Sequence, residues 1–232
     1  MHYYFHEDID PQTSRFELNA DESHHAVKVL RQNKGDILNL LNGKGGIFEA
    51  QIIEAHPKGC LMEIIKASFN AAFEPKIHIA LSFLKNRDRM EWFLEKAIEI
   101  GVSEISFFTS KHSEKKSSNE ERLLKIGISA LKQSGNTWLP KINAHVSFEG
   151  LLNEAMTHKY IAYCPVESSQ HLTHFANHSD ALVLIGPEGD FTEEEVAQAH
   201  AKGFISVSLG EQRLRAETAA LVSLLTLKLK NA

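Results

Sequence analysis

From Lys76 to the C-terminus, short hydrophobic runs alternate with segments of helical periodicity, and no other feature restricts the possible folds as much. Strand–helix alternation predicts an α/β domain with a mostly parallel sheet and helices against its faces. The strand-like runs are Ile77–Phe83, Ile105–Phe108, Tyr160–Tyr163, Ala181–Ile185 and Ile205–Leu209. Between them, Arg89–Ile100 sets Met90, Phe93, Leu94, Ala97 and Ile98 on one helical face and stops at Gly101. Glu120–Gln133 is a second helix, and Thr192 with Glu195 three residues later forms a capping box that opens a third. Glu217–Leu229 is a leucine-rich terminal helix.

The first seventy residues have a different rhythm. Asp21 is placed to cap a helix carrying Ala26, Val27, Val29 and Leu30 that ends near Arg31. Strand-like segments Asp36–Leu41 and Gly46–Ile53 flank Asn42-Gly-Lys-Gly, a strong hairpin signal, and Gly59–Lys66 adds another strand. Short strands with glycine turns predict a small β-barrel over 1–70. Ser68–Pro75 reads as the linker to an α/β domain over 75–232.

Composition removes several function classes. A formal net charge of −5 leaves nucleic-acid binding to local basic clusters rather than to bulk charge. Two cysteines, Cys60 and Cys164, exclude a disulfide framework and a four-cysteine zinc site. No apolar stretch reaches membrane-spanning length, and Met1-His-Tyr-Tyr-Phe-His lacks the layout of a signal peptide, so a cytoplasmic protein without membrane partners is expected. His171, His174 and His178 have helical spacing, but with no nearby cysteine or His-Glu-x-x-His pattern they read as surface histidines, and no metal is expected.

Two hydrophobic runs stop abruptly in glycine. Leu182-Val-Leu-Ile runs into Gly186-Pro-Glu-Gly189, and Leu209-Gly210 leads to Arg213, Arg215, Glu217 and Thr218. Ligands of open α/β sheets sit beyond the carboxyl ends of strands, so two such ends predict one shared pocket. Neither a Walker loop nor the dinucleotide fingerprint is present. Taken alone, the first glycine turn serves equally as a plain strand-to-helix connection.

These residues carry a resemblance. Gly186-Pro-Glu-Gly189 together with Leu209-Gly-x-x-x-Leu-Arg-x-Glu-Thr-Ala219 resembles the bacterial 16S ribosomal RNA uracil-N3 methyltransferase family, of the SPOUT class. His25-Ala-Val-Lys-Val-Leu-Arg31 is similar to the family's N-terminal element. Lys85, Met90-Glu91 and Lys96-Ala-x-Glu-x-Gly-Val102 are similar to its first methyltransferase-domain helix, and Gln133-Ser-Gly135 followed by Pro140 to a further segment. Four positions depart from the pattern: Lys28 for arginine, Lys111-His112 for Glu-Arg, Asn136 for arginine, and Asp190 for a second glycine, which adds a carboxylate at the pocket edge.

The resemblance implies a PUA-like N-terminal barrel and a C-terminal SPOUT domain with a deep trefoil knot. It implies S-adenosylmethionine, held by Leu184, Ile185, Gly186, Pro187, Glu188 and Gly189 at the first strand end and by Leu209, Gly210, Leu214 and Thr218 at the second. Methyl transfer to N3 of a uridine in 16S ribosomal RNA of the small ribosomal subunit is the implied reaction. Arg215 is expected to stabilise the substrate anion and Glu217 to serve as base, Glu217 having two further readings, as a helix-dipole partner and as a ligand of the cofactor. His25, Lys28, Arg31, Lys85, Arg89, Lys111 and Gln133 are the expected RNA contacts. Lys28 and Arg31 lie three apart on one predicted helix face, and Lys111, Lys115, Lys116, Arg122 and Lys125 form a second basic stretch. The apolar terminal helix, with Leu221, Val222, Leu224, Leu225 and Leu229, is expected to support a homodimer. Two rival readings share the motifs: a related enzyme acting on another target such as transfer-RNA ribose, and an RNA-binding protein of the same fold without catalysis.

Overall fold

The computed structural model describes residues 2–113, 118–163, 170–175 and 179–230. Lys115, Lys116, Cys164 and His178 lie outside them. The chain divides into two compact units, one of Met1–Ala72 with Ile128–Leu139 and one of Phe73–Gly127 with Pro140–Ala232.

The first unit is built on a five-stranded sheet in the order β1 (Tyr3–Phe5), β3 (Ile37–Leu41), β4 (Gly46–Glu54), β5 (Leu61–Phe69), β2 (Arg15–Glu17). Only β1 and β3 run parallel. Burial alternates along β4, as a two-residue side-chain period requires when one face is covered. Phe48, Ala50 and Ile52 thereby join Tyr4, Leu18, Leu40 and Met62 in the core. Phe5, Leu41 and Leu131 form a second cluster with Ile128 and Leu139, which is why the later segment counts with this unit. Gly45 has φ +91°, and a Cβ there would stand 2.7 Å from the Asn70 carbonyl oxygen and from the Trp138 ring, so only glycine fits.

Several local expectations change. The N-cap of α1 (Ala20–His24) is Asn19, whose side chain accepts from the Glu22 amide, and not Asp21. The helix then widens into a π-helical turn over His25–Val29, and Arg31 lies beyond it at φ 57°. Lys28 and Arg31 therefore do not share a helix face as the three-residue spacing implies. β5 runs on through Ser68 and Phe69, shortening the expected linker from its start. Strands β1 and β2 are too short, at three residues each, for alternation to reveal.

The second unit is an all-parallel six-stranded sheet in the order β11 (Ile205–Val207), β9 (His158–Ala162), β10 (Ala181–Ile185), β6 (Ile77–Ser82), β7 (Glu104–Thr109), β8 (Lys141–Ser147). The central strands β6 and β10 are buried throughout, which explains their unbroken hydrophobic runs. Leu182 and Leu184 pack with Leu151 and Leu152 of α4 (Phe148–Leu152) and with Val196 and Ala199 of α5 (Glu193–Ala201). The alternate residues of β10 face the other way, where α2 (Arg87–Ile100) and α6 (Ala216–Lys230) pack on each other and α6 on β6 and β10. Asn86 caps α2 and Gly101 ends it in the left-handed conformation. The Thr192–Glu195 capping box is formed at α5. α3 spans Glu120–Ser134. Strand β8 and α4 escape sequence reading because β8 is only half-buried and its alternation is weak. β11 stops at Val207, which leaves Leu209 in the loop that follows.

Candidate functional site

Parallel strands β11, β9 and β10 are neighbours, and all three end at one cavity of about 610 Å³. Ala162 and Tyr163 close it after β9, Ile185 to Glu188 and Asp190 after β10, and Val207 to Ala216 with Ala219 after β11. Its size suits a small-molecule site, and its place at the carboxyl edge of the sheet is where α/β folds bind ligands.

The β10 loop is held from several sides. After Gly186, a tight turn brings the Asp190 amide to the Pro187 carbonyl at 3.0 Å and puts Asp190 at φ 61°. Asp190 Oδ1 accepts from the Phe191 amide at 2.8 Å. His112 Nδ1 donates to both the Gly189 and Asp190 carbonyls, each at 3.0 Å. The Lys111 amide donates to Glu195 at 2.8 Å while its ammonium pairs with Glu194, so the loop after β7 clamps the start of α5. Beneath it, the buried hydroxyls of Ser82, Ser110 and Ser113 bond one another at 2.7 to 3.1 Å. Glu188 accepts from the Lys85 amide at 3.3 Å. Gly186 must be small: a Cβ would lie 3.1 Å from the Phe191 ring and 3.3 Å from Asp190 Oδ1.

The second loop is more open. Gly210 sits at φ 122°, with nothing near the position of an added Cβ, and its amide donates to Ser208 Oγ at 3.2 Å. Arg213 and Arg215 are exposed and line the cavity.

Of the residues singled out in the sequence, Ile185, Gly186, Pro187, Glu188, Leu209, Gly210, Leu214 and Arg215 meet around this cavity. Leu184 is buried within β10, and Gly189 and Thr218 stand beside the lining rather than in it. Glu217 is buried, with Arg89 Nε 3.6 Å from its carboxylate, and also stands outside the lining. His25, Lys28, Arg31 and Gln133 belong to the first unit, where His25 stacks on His2 at 5.0 Å; Lys85, Arg89 and Lys111 belong to the second. Sequence reading missed the β9 end, and it noted His112 only as a departure from the family pattern, not as a partner of the β10 loop. Only the sheet order brings β9 to the pocket, and a lone histidine in a loop carries no pattern.

The cavity fits S-adenosylmethionine on its own chemistry. Its walls are backbone and apolar strand ends suited to adenine, and the carboxylates of Glu188, Asp190 and Glu211 complement a cationic sulfonium and ammonium. The N-terminus of α5 offers no phosphate seat, because its first turn is filled by its own Glu193, Glu194 and Glu195.

One cluster of metal-ligating residue types occurs among the described residues, at the opposite strand ends. His78 Nδ1 lies 2.9 Å from Glu154, and Glu104 is nearby. Lys141 and Asn143 already bind Glu104 at 2.8 and 2.7 Å, holding its carboxyl below the usual range although burial opposes this. The Lys141 ammonium thus supplies the positive charge a cation would bring.

Known proteins of similar sequence and structure bear on this site. A family model described as an RNA methyltransferase domain matches residues 72–228, and one described as an RNA methyltransferase PUA domain matches residues 18–65. The ribosomal RNA small subunit methyltransferase E of Buchnera aphidicola is 32% identical over 97% of this chain and 91% of its own. A probable rRNA-methyltransferase from Porphyromonas gingivalis superposes with a TM-score of 0.91 at 37% identity, covering 100% of this chain and 98% of that one. The ribosomal RNA small subunit methyltransferase E of Neisseria gonorrhoeae, solved bound to S-adenosyl methionine, gives 0.86 at 26% identity over 99% and 97%.

Proposed function

The chain belongs to the RNA methyltransferase family that joins a PUA domain to a methyltransferase domain, and we propose from this that it methylates N3 of a uridine in 16S ribosomal RNA, using S-adenosylmethionine. The observation that carries the reading is the cavity at the ends of β9, β10 and β11, with a backbone cradle on one side and two arginines on the other. Family relatives named for the small ribosomal subunit support the choice of RNA.

The cofactor, when bound, supplies an electrophilic methyl group. Ile185 to Glu188 and Leu209 to Leu214 would hold it, chiefly through backbone groups. Uracil N3 carries a weakly acidic proton, so reaction there requires its removal and stabilisation of the anion left behind. Arg215, which lines the cavity, would stabilise that anion. Glu217, two residues after Arg215 and with Arg89 Nε 3.6 Å from its carboxylate, ties the start of α6 to the start of α2.

His25, Lys28, Arg31 and Gln133 in one unit and Lys85, Arg89 and Lys111 in the other are the proposed RNA contacts. Two chains pair through α6, whose Leu225 and Leu229 are exposed. The trefoil knot belongs to the same proposal: β11 lies outside β9 rather than beside β10, so the chain must cross back past β9 after leaving β10. A substrate of this kind places the enzyme in the cytoplasm; no helix of the described residues is long and apolar enough to cross a membrane.

The test is incubation with methyl-labelled S-adenosylmethionine and 30S subunits lacking the modification, followed by nucleoside mass spectrometry. Label in 3-methyluridine is expected. Label in another nucleoside, or none, refutes the assignment.

A further inference from the structure

Two consecutive peptide units of the loop after β10 are held at both ends. The Asp190 amide donates to the Pro187 carbonyl at 3.0 Å, and the Phe191 amide to Asp190 Oδ1 at 2.8 Å. The carbonyls of the same two units, those of Gly189 and Asp190, both lie 3.0 Å from His112 Nδ1. A carbonyl oxygen only accepts, so Nδ1 must carry the hydrogen. That hydrogen is present in the imidazolium and in one neutral tautomer alone, and the two carbonyls select that tautomer. The amides of Glu188 and Gly189, in the middle of the turn, donate to no described residue.

His112 is itself fixed on both flanks. On one side the Lys111 amide donates to Glu195 Oε1 at 2.8 Å, while Glu195 Oε2 accepts from the Thr192 amide at 2.8 Å. A single carboxylate thus joins the loop after β7 to the cap of α5. On the other side the buried Ser113 hydroxyl bonds Ser82 Oγ at 2.7 Å and accepts from the Ser110 amide at 2.9 Å. The two loops also touch directly, because a Cβ added at Gly189 would lie 3.1 Å from His112 Cβ.

Resting on the methyltransferase reading above, we infer that His112 is a positioning residue for the cofactor: through Nδ1–H it holds the Gly189 and Asp190 carbonyls and so pre-forms the loop that receives S-adenosylmethionine. A loop already ordered by the fold loses little freedom when the ligand arrives, which strengthens binding. The arginine of the family pattern carries its donors further from the backbone, so this grip belongs to the chain's own histidine. Its geometry names its substitute. Nδ1 is bonded to Cγ, where asparagine has its amide nitrogen and glutamine does not, and the asparagine amide offers one hydrogen for each carbonyl.

The test compares His112→Ala, His112→Gln and His112→Asn. By titration calorimetry, the alanine and glutamine variants are expected to bind S-adenosylmethionine about tenfold more weakly, and His112→Asn within about threefold of the parent. At saturating cofactor all three should methylate 30S subunits within about threefold of the parental rate, because the grip acts on cofactor binding and not on the chemical step. In ¹⁵N spectra of the histidine-labelled parent, with His112 assigned by its loss in His112→Asn, the neutral ring should carry its hydrogen on Nδ1. Parental affinity in His112→Ala overturns the inference. So does an equal loss in His112→Asn and His112→Gln, or a neutral ring with its hydrogen on Nε2. A slower saturated rate with unchanged affinity overturns it as well, since His112 would then act on the substrate. If the parent itself binds no S-adenosylmethionine, the methyltransferase reading falls and this role with it; a parent that binds it no better than His112→Ala removes this role alone.

Discussion

Replacing Gly186 by alanine tests how tightly the loop after β10 is built and whether it holds the cofactor. The new Cβ would stand 3.1 and 3.2 Å from two Phe191 ring carbons and 3.3 Å from Asp190 Oδ1. Carbon atoms prefer separations of about 3.5 to 4.0 Å, so the ring must retreat by roughly 0.4 Å. It has little room to do so. Phe191 is 4% exposed, stacked on the fully buried Phe108 at 6.2 Å between ring centroids and tilted against Phe148 at 6.0 Å. Overpacking of this kind costs about 1–3 kcal/mol. Gly186 is not among the residues with positive φ, so alanine recovers about 0.4–1 kcal/mol by restricting the unfolded chain. The net loss is about 1–2 kcal/mol, which lowers Tm by about 2–8 °C at this size. Because the same push reaches Asp190 and the turn behind it, affinity for S-adenosylmethionine should fall about tenfold or more, or about 1.4 kcal/mol. Scanning calorimetry and titration calorimetry read the two effects. Adding Phe191→Leu, which opens space beside the new methyl, should restore part of the cofactor affinity. A Gly186→Ala protein that melts with the parent and binds cofactor equally well would refute the steric account.

Arg215→Ala should lower the saturated methyl-transfer rate about 10²- to 10³-fold while S-adenosylmethionine affinity stays within about threefold; an equal loss in both would make Arg215 a binding residue instead. The Tyr4 hydroxyl is buried with no hydrogen-bond partner among the described residues, and burial, with smaller contributions from Glu22 and Cys60, pushes its ionisation up to about 12. The unfolded phenol ionises near 10, so this group's contribution is intact below pH 10 and is lost as pH rises towards 12, by about 2–3 kcal/mol. Tyr4→Phe should lack that alkaline loss and melt no lower than the parent at pH 7; a parallel alkaline decline in both proteins would show that Tyr4 ionises normally. Leu225→Asp with Leu229→Asp should shift sedimentation from dimer to monomer, and an unchanged dimer would place the contact elsewhere.

The long parallel strands were legible because both faces of β6 and β10 are covered, which writes continuous hydrophobic runs into the chain. α2 was legible from its apolar face and Gly101, and the start of α5 from the Thr192–Glu195 pair. Three-residue strands and the π-helical turn at His25 leave no such pattern, since nothing repeats within them. Two of the three strand ends at the cavity were readable from glycine following a hydrophobic run. The third, at Ala162 and Tyr163, was not, because its neighbours lie far along the chain.

Local order in the sequence therefore determined the elements, the two rhythms of the chain and the two glycine-ended strands that announce a pocket. Periodicity and capping act over a few residues, so they can be read from a few residues. Tertiary structure alone decided which strand ends adjoin, that His112 grips the loop after β10, and that Glu217 faces Arg89. Those outcomes depend on sheet order and on contacts between distant segments, and no local preference encodes either.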